Sequence, residues 1–153
     1  MLGRKELILK TNEQVIEATD VTFIYPEGTR ALSGVDFRVS KGEFIAMLAS
    51  NGSGKTTLIK ILIGLLKPRK GVVRVAGRDI VSYSQKELYQ VLGMVFQNPN
   101  DQLFGATVEE DVAFGPRNLG LDESEVQRRI AEGLRLTDAE ALRHKAIHHL
   151  SFG

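Results

Sequence analysis

The sequence contains no cysteine and no tryptophan. Structural disulfides and thiolate metal sites are therefore excluded, and a reducing compartment is permitted but not implied. It has no excess of either charge: Lys plus Arg number 20 and Asp plus Glu 19, a net charge of +1. That balance gives no reason to expect nucleic acid or bare anionic membrane as a main partner. Long hydrophobic runs are also lacking. The longest, Leu58 to Leu66, is interrupted by Lys60 and falls far short of the roughly 20 residues needed to span a bilayer. No secretory leader is visible, because Arg4, Lys5 and Glu6 bring charge in early. Internal repeats and low-complexity tracts are absent as well. What remains is 153 residues, 42% hydrophobic and 25% charged, enough for one domain with a real core.

Residues 1–14 carry no clear pattern and read as a lead-in. Val15 to Tyr25 is rich in β-branched and aromatic residues, the composition of a strand. Pro26-Glu27-Gly28-Thr29 is a turn, and Leu32 to Val39 alternates as a half-buried antiparallel strand through Val35, Phe37 and Val39. Phe44 to Leu48 is a continuous apolar run that reads as a strand buried on both faces. A helix is expected over about 55–66, ended by Pro68, then a strand over Gly71 to Ala76 and another over Val91 to Phe96. Ser84/Glu87, Thr107/Glu110 and Asp122/Glu125 have the spacing of capping boxes. Val126, Ile130 and Leu134 fall on one helical face, and Thr137 or Asp138 is expected to start a last helix toward Ala146. The order implies an α/β fold with antiparallel additions and a helical end.

The strongest chemistry lies at Ala49-Ser50-Asn51-Gly52-Ser53-Gly54-Lys55-Thr56-Thr57, between the apolar run and the helix. Glycines there let backbone N–H groups turn inward as a cradle for phosphate oxygens, and the helix N-terminus adds partial positive charge. Lys55 is expected to reach the β- and γ-phosphates, the Thr56 hydroxyl to ligate Mg²⁺, and Thr57 to lie near the α-phosphate. The usual pattern G-x-x-x-x-G-K-[ST] begins with glycine, whereas Ala49 stands here. A glycine-only backbone angle at that position would cost about 1–3 kcal/mol; an ordinary angle would tolerate alanine.

The surrounding residues narrow the assignment. Val21-Thr22-Phe23-Ile24-Tyr25-Pro26, Lys41-Gly42-Glu43, the stretch from Val95-Phe96-Gln97-Asn98-Pro99 to Leu103-Phe104, and Thr107-Val108-Glu109-Glu110-Asp111-Val112-Ala113-Phe114-Gly115-Pro116 accompany the phosphate loop. With these blocks the chain, from about Val15 onward, resembles the ATP-binding-cassette transporter ATPases. It resembles most the ATPase subunits of cobalt/nickel and energy-coupling-factor vitamin importers. The resemblance implies a P-loop ATPase fold with an antiparallel β group and a helical subdomain, about 15–97 forming the core and about 98–150 the helical part. It implies Mg-ATP as ligand, held by Tyr25 stacked on adenine, by Ser50 to Thr57, and by Gln97 at the Mg²⁺ and γ-phosphate. It further implies an integral-membrane partner docked over Asn98 to Phe104, with Leu103 and Phe104 as anchors, and a second ATPase subunit. The place of action would be the cytoplasmic face of a membrane.

In that family a Leu-Ser-Gly-Gly-Gln signature follows the helical subdomain. Here Leu150-Ser151-Phe152-Gly153 carries its first part, with Phe152 where glycine is expected. The 153 residues contain no Walker B strand and no catalytic glutamate in register, so binding of ATP with little or no hydrolysis is expected of this chain. A standalone nucleotide-binding regulatory module and an inactive remnant are the alternatives. His144, His148 and His149 lack a metal-site spacing beyond the i, i+4 pair and read as a solvated helix end.

Overall fold

A computed structural model describes residues 13–98 and 102–150. They fall into two compact units, Met1–Gly93 and Met94–Gly153, each treated by itself.

The first unit is built on an antiparallel sheet of order β2-β1-β3-β4. Strand β1 spans Gln14–Ile24, β2 Arg30–Ser40, β3 Lys70–Val75 and β4 Arg78–Asp79. A tight turn joins β1 to β2, closed by the Tyr25 N–H donating to the Thr29 carbonyl at 2.8 Å and the Gly28 N–H to Tyr25 at 2.9 Å. Asp20 is a bulge in β1: its φ is 53°, and the register moves by one residue on both sides, between Ala18 and Val21 toward β2 and between Thr19 and Thr22 toward β3. The kink is pinned where the Asp20 N–H donates to Asp36 Oδ1 at 2.8 Å and Lys70 Nζ reaches Asp20 Oδ2 at 2.8 Å.

Helix α1 (Lys55–Leu62) covers this sheet. Leu58, Ile61 and Leu62 recur at helical spacing and join Ala18, Val21, Phe23, Leu32, Val73 and Val75 in one buried cluster. Burial of these side chains from both elements is the main force holding the helix on the sheet. The expected half-burial of Val35, Phe37 and Val39 is observed. Helix α1 ends at Leu62 rather than near Leu66, where the Leu65 and Leu66 N–H groups both fold back to the Lys60 carbonyl. Helix α2 (Gln85–Val91) opens with a complete capping box between Ser84 and Glu87.

Two expected strands are not formed. Phe44–Leu48 is unpaired among the described residues, with Phe44 94% and Leu48 92% exposed. Val91 is the last residue of α2, and 92–96 is likewise unpaired. A doubly buried strand needs a hydrogen-bonded neighbour and a layer on each face. The sheet of the described residues is antiparallel and takes in neither segment.

The second unit centres on α3 (Val108–Asn118) and α4 (Glu123–Leu136). Ala113, Val126, Ile130 and Leu134 form its buried core, as the spacing of the last three predicts. Thr107 and Asp122 each accept from the N–H three residues on. The boxes are not reciprocal, however: Glu110 accepts from the Ala106 N–H at 2.9 Å, and Glu125 turns to Arg128 and Arg129. No long helix follows α4. The Thr137 hydroxyl donates to the Gly133 carbonyl at 2.9 Å and so closes α4, and Asp138 takes φ 52°. The chain then turns at Glu140–Leu142 and lies beside the start of α3, where Ala146 bridges Thr107. Arg143 fastens this return by donating to Glu109 Oε1 at 2.6 Å and to Gln127 at 2.8 Å. The Arg143 guanidinium holds the Glu109 carboxyl below the usual carboxylate range. Among the described residues, no helix is long and apolar enough to cross a membrane. Ser151, Phe152 and Gly153, with Pro99, Asn100 and Asp101, lie outside the described residues.

Candidate phosphate-binding loop

Residues 49–54 connect the unpaired apolar segment to α1. The helix begins at Lys55 because Gly54 takes φ 92°, ψ 4° as its N-cap. Only glycine fits here: a Cβ would lie 2.5 Å from the Ala31 carbonyl oxygen and 2.9 Å from Leu32 Cδ2. The loop is thereby seated directly against β2. Gly54 brings no capping side chain, and the first turn of α1 holds no acidic residue. The N–H groups at this terminus are thus left to an anion or solvent, with the helix dipole favouring negative charge.

Lys55 curls back over the loop. Its ammonium donates to the carbonyl oxygens of Ala49 at 2.6 Å and Ser50 at 2.7 Å and lies 3.5 Å from Ser53 Oγ. The Ser53 N–H closes a turn onto the Ser50 carbonyl at 3.4 Å. Ala49 is not among the non-glycine residues with positive φ, which are Asp20, Ala76 and Asp138 among those described. Its backbone angle is one that alanine adopts without strain.

Thr56 and Thr57 diverge. Thr56 is exposed, and its hydroxyl has no hydrogen bond among the described residues. A hard oxygen free of protein partners suits Mg²⁺. Thr57 is 5% exposed, and its hydroxyl lies 2.9 Å from the Tyr25 hydroxyl. Tyr25 is half-buried, packs on the edge of the first core, and meets Phe23 edge to face with centroids 4.9 Å apart. The structure thus brings Tyr25 to the loop helix. The sequence carried no signal for the Tyr25–Thr57 contact, because it joins two hydroxyls 32 residues apart.

Gln97 is exposed and belongs to the second unit. In the loop that follows it, Gln102 Nε2 lies 3.5 Å from the Phe96 carbonyl oxygen. Leu103 is 39% and Phe104 71% exposed. Two residues missed from the sequence support this loop. Asp111 Oδ1 accepts from the Phe104 N–H at 2.8 Å and the Gly105 N–H at 3.0 Å, and Phe114 stacks on Phe104 with centroids 5.4 Å apart. A carboxylate one turn into α3 was the available clue for the first; nothing signalled the second.

Comparisons with known proteins bear on the family and the fold. A family model described as ABC transporter matches residues 32–153. A putative ABC transporter ATP-binding protein of Geobacter sulfurreducens is 53% identical over 131 residues, 86% of this chain and 47% of that protein. An energy-coupling factor transporter ATP-binding protein of Methanocaldococcus jannaschii is 47% identical over 142 residues, 91% of this chain and 50% of that protein. The chain thus spans about half the length of the curated relatives it matches. Among solved structures, cbiO1 of Clostridium perfringens, part of the ABC transporter complex cbiONQ, superposes with TM-score 0.78 at 37% identity, covering 92% of this chain and 57% of that one. A dimeric ATP-binding cassette bound to ADP and Pi superposes with TM-score 0.72 at 25% identity, covering 89% and 63%. The fold is that of the ABC ATPases, of which these residues form part.

Proposed function

From the premise that the chain belongs to the ABC transporter ATPase family, we propose that it binds Mg-ATP through the loop 50–57 and serves an importer of the energy-coupling-factor or cobalt/nickel type. The observation that carries the reading is the uncapped, acid-free N-terminus of α1 with the Lys55 ammonium folded over the same loop. Backbone dipoles and one cation together match a polyphosphate tail.

In this reading Ser50, Asn51, Gly52, Ser53 and Gly54 supply the cradle, and Lys55 exchanges the Ala49 and Ser50 carbonyls for phosphate oxygens. Thr56 holds Mg²⁺, Thr57 lies near the α-phosphate, and Tyr25 stacks on adenine. Bound Mg²⁺ would neutralise charge on the β- and γ-phosphate oxygens.

The importer assignment draws on the name of the Methanocaldococcus relative and on the complex containing cbiO1. Docking of a membrane subunit is assigned to Leu103 and Phe104, whose exposed apolar surface sits on a loop braced by Asp111 and Phe114. Such a partner would place the chain at the cytoplasmic face of a membrane, beside a second ATPase subunit. The cargo would be a metal ion or a vitamin. Thermal unfolding with and without ligand tests the nucleotide reading. Mg-ATP at 100 times its Kd raises stability by about 2.7 kcal/mol, whereas an unchanged unfolding temperature at millimolar Mg-ATP contradicts it.

A further inference from the structure

Resting on the nucleotide-binding reading, we propose that the Tyr25 hydroxyl is a positioning group: through Thr57 it ties the adenine platform to the phosphate loop.

The argument begins with the two hydroxyls. Their oxygens are 2.9 Å apart, a normal hydrogen-bond length. Thr57 is the third residue of α1 and is 5% exposed. A threonine inside a helix commonly bonds a carbonyl of the preceding turn. Thr57 does not; its hydroxyl has no other hydrogen bond among the described residues. Tyr25 immediately follows β1, and only the turn to β2 holds it from the chain side. Besides its packing on the first core, two contacts set the ring: a T-shaped pairing with Phe23, centroids 4.9 Å apart, and the Thr57 hydroxyl. The first acts on the ring, and the second fixes the phenol end against the helix that carries Lys55 and Thr56. Either hydroxyl can donate to the other, and the contact ties the ring to the helix in both cases. Removing the Tyr25 oxygen keeps the platform but frees its far end. Recognition of the base weakens while recognition of the phosphates does not.

The test is equilibrium dialysis of the full chain with Mg-ATP and with Mg-tripolyphosphate, which has no base. Tyr25→Phe is expected to weaken Mg-ATP binding about two- to tenfold, the worth of one hydrogen bond, and to leave tripolyphosphate binding unchanged. The loss disappears when Tyr25→Phe is introduced into Thr57→Val, and it persists in Thr57→Ser, which keeps the hydroxyl. Wild-type affinity in Tyr25→Phe overturns the proposal, as does an equal loss for both ligands or a loss that survives in Thr57→Val. Tyr25→Ala separates the two claims. If it weakens Mg-ATP while Tyr25→Phe does not, the platform stands and the tether falls. If Tyr25→Ala binds as wild type, both fall, and they fall together if wild type binds no nucleotide. Circular dichroism melts of each variant identify any that fail to fold; should Tyr25→Phe be one, Thr57→Val is expected to weaken Mg-ATP more than Mg-tripolyphosphate relative to Thr57→Ser, and equal losses for both ligands overturn the proposal.

Discussion

The ammonium of Lys55 lies 2.6 Å from the carbonyl oxygen of Ala49, the residue where the usual phosphate-loop pattern has glycine. This contact uses the carbonyl of Ala49, which alanine and glycine share. With its φ outside the left-handed region, Ala49 gains nothing from becoming glycine except a more flexible unfolded chain. Ala49→Gly is accordingly expected to leave Mg-ATP affinity within about twofold and to lower stability by about 0.4–1 kcal/mol, read from urea unfolding and dialysis on one preparation.

Gly54 and Gly52 are expected to separate cleanly. Both have positive φ, 92° and 79°, but an added Cβ at Gly54 meets the Ala31 carbonyl oxygen at 2.5 Å, whereas at Gly52 it meets nothing within 4 Å. Gly52→Ala carries backbone strain alone, about 1 kcal/mol. Gly54→Ala adds a collision with β2 backbone and is expected to cost at least about 2 kcal/mol. Equal urea midpoints for the two variants would contradict the seating of the loop on β2.

The helical unit rests on a small core. Ile130 is fully buried among Ala113, Val126 and Leu134, so Ile130→Ala is expected to destabilise it by about 2–5 kcal/mol. Leu136, six residues on and 67% exposed, is the control, with Leu136→Ala expected within about 0.5 kcal/mol of wild type. Hydrogen exchange across α3 and α4 reads both.

Acid weakens the fold through carboxylates held low, two of them most strongly. Glu125 is lowered from 4.5 to about 2 by hydrogen bonds from Arg128 and then Arg129. Glu87 is lowered to about 2 by the Ser84 N–H, then the Ser84 hydroxyl and Arg78. Between these values the unfolded chain binds more protons than the folded one, so stability rises with pH there. The contribution is complete above pH 4.5 and is lost as pH falls toward about 2. Melting temperatures are expected to fall across that interval, less steeply in Glu125→Gln, and less steeply in high salt because these groups are exposed.

Much of the fold was legible where local chemistry decides it. Strand β1 was expected at Val15–Tyr25 and lies at Gln14–Ile24. The Ser84 box and the buried face of α4 follow directly from spacing. The misreadings occur where the outcome depends on distant partners. Phe44–Leu48 has strand composition, but composition cannot supply the neighbouring strands that burial on both faces requires. Thr137 has the chemistry of a helix start, yet its hydroxyl serves the carbonyls of the helix before it. The phosphate loop was legible because glycine, lysine and threonine are read within nine residues, 49–57. The Tyr25–Thr57 bond was not, because hydroxyl pairing over that separation leaves no periodicity to detect.

The most direct measurement is calorimetric titration of the purified chain with Mg-ATP, beside Lys55→Ala. The account predicts saturable one-site binding to the wild type, weakened at least about tenfold in the variant, as loss of charge-assisted hydrogen bonds requires. The circular dichroism spectrum is expected to stay unchanged. Equal affinity in the two proteins, or no heat from either while the spectrum reports a folded chain, would contradict it.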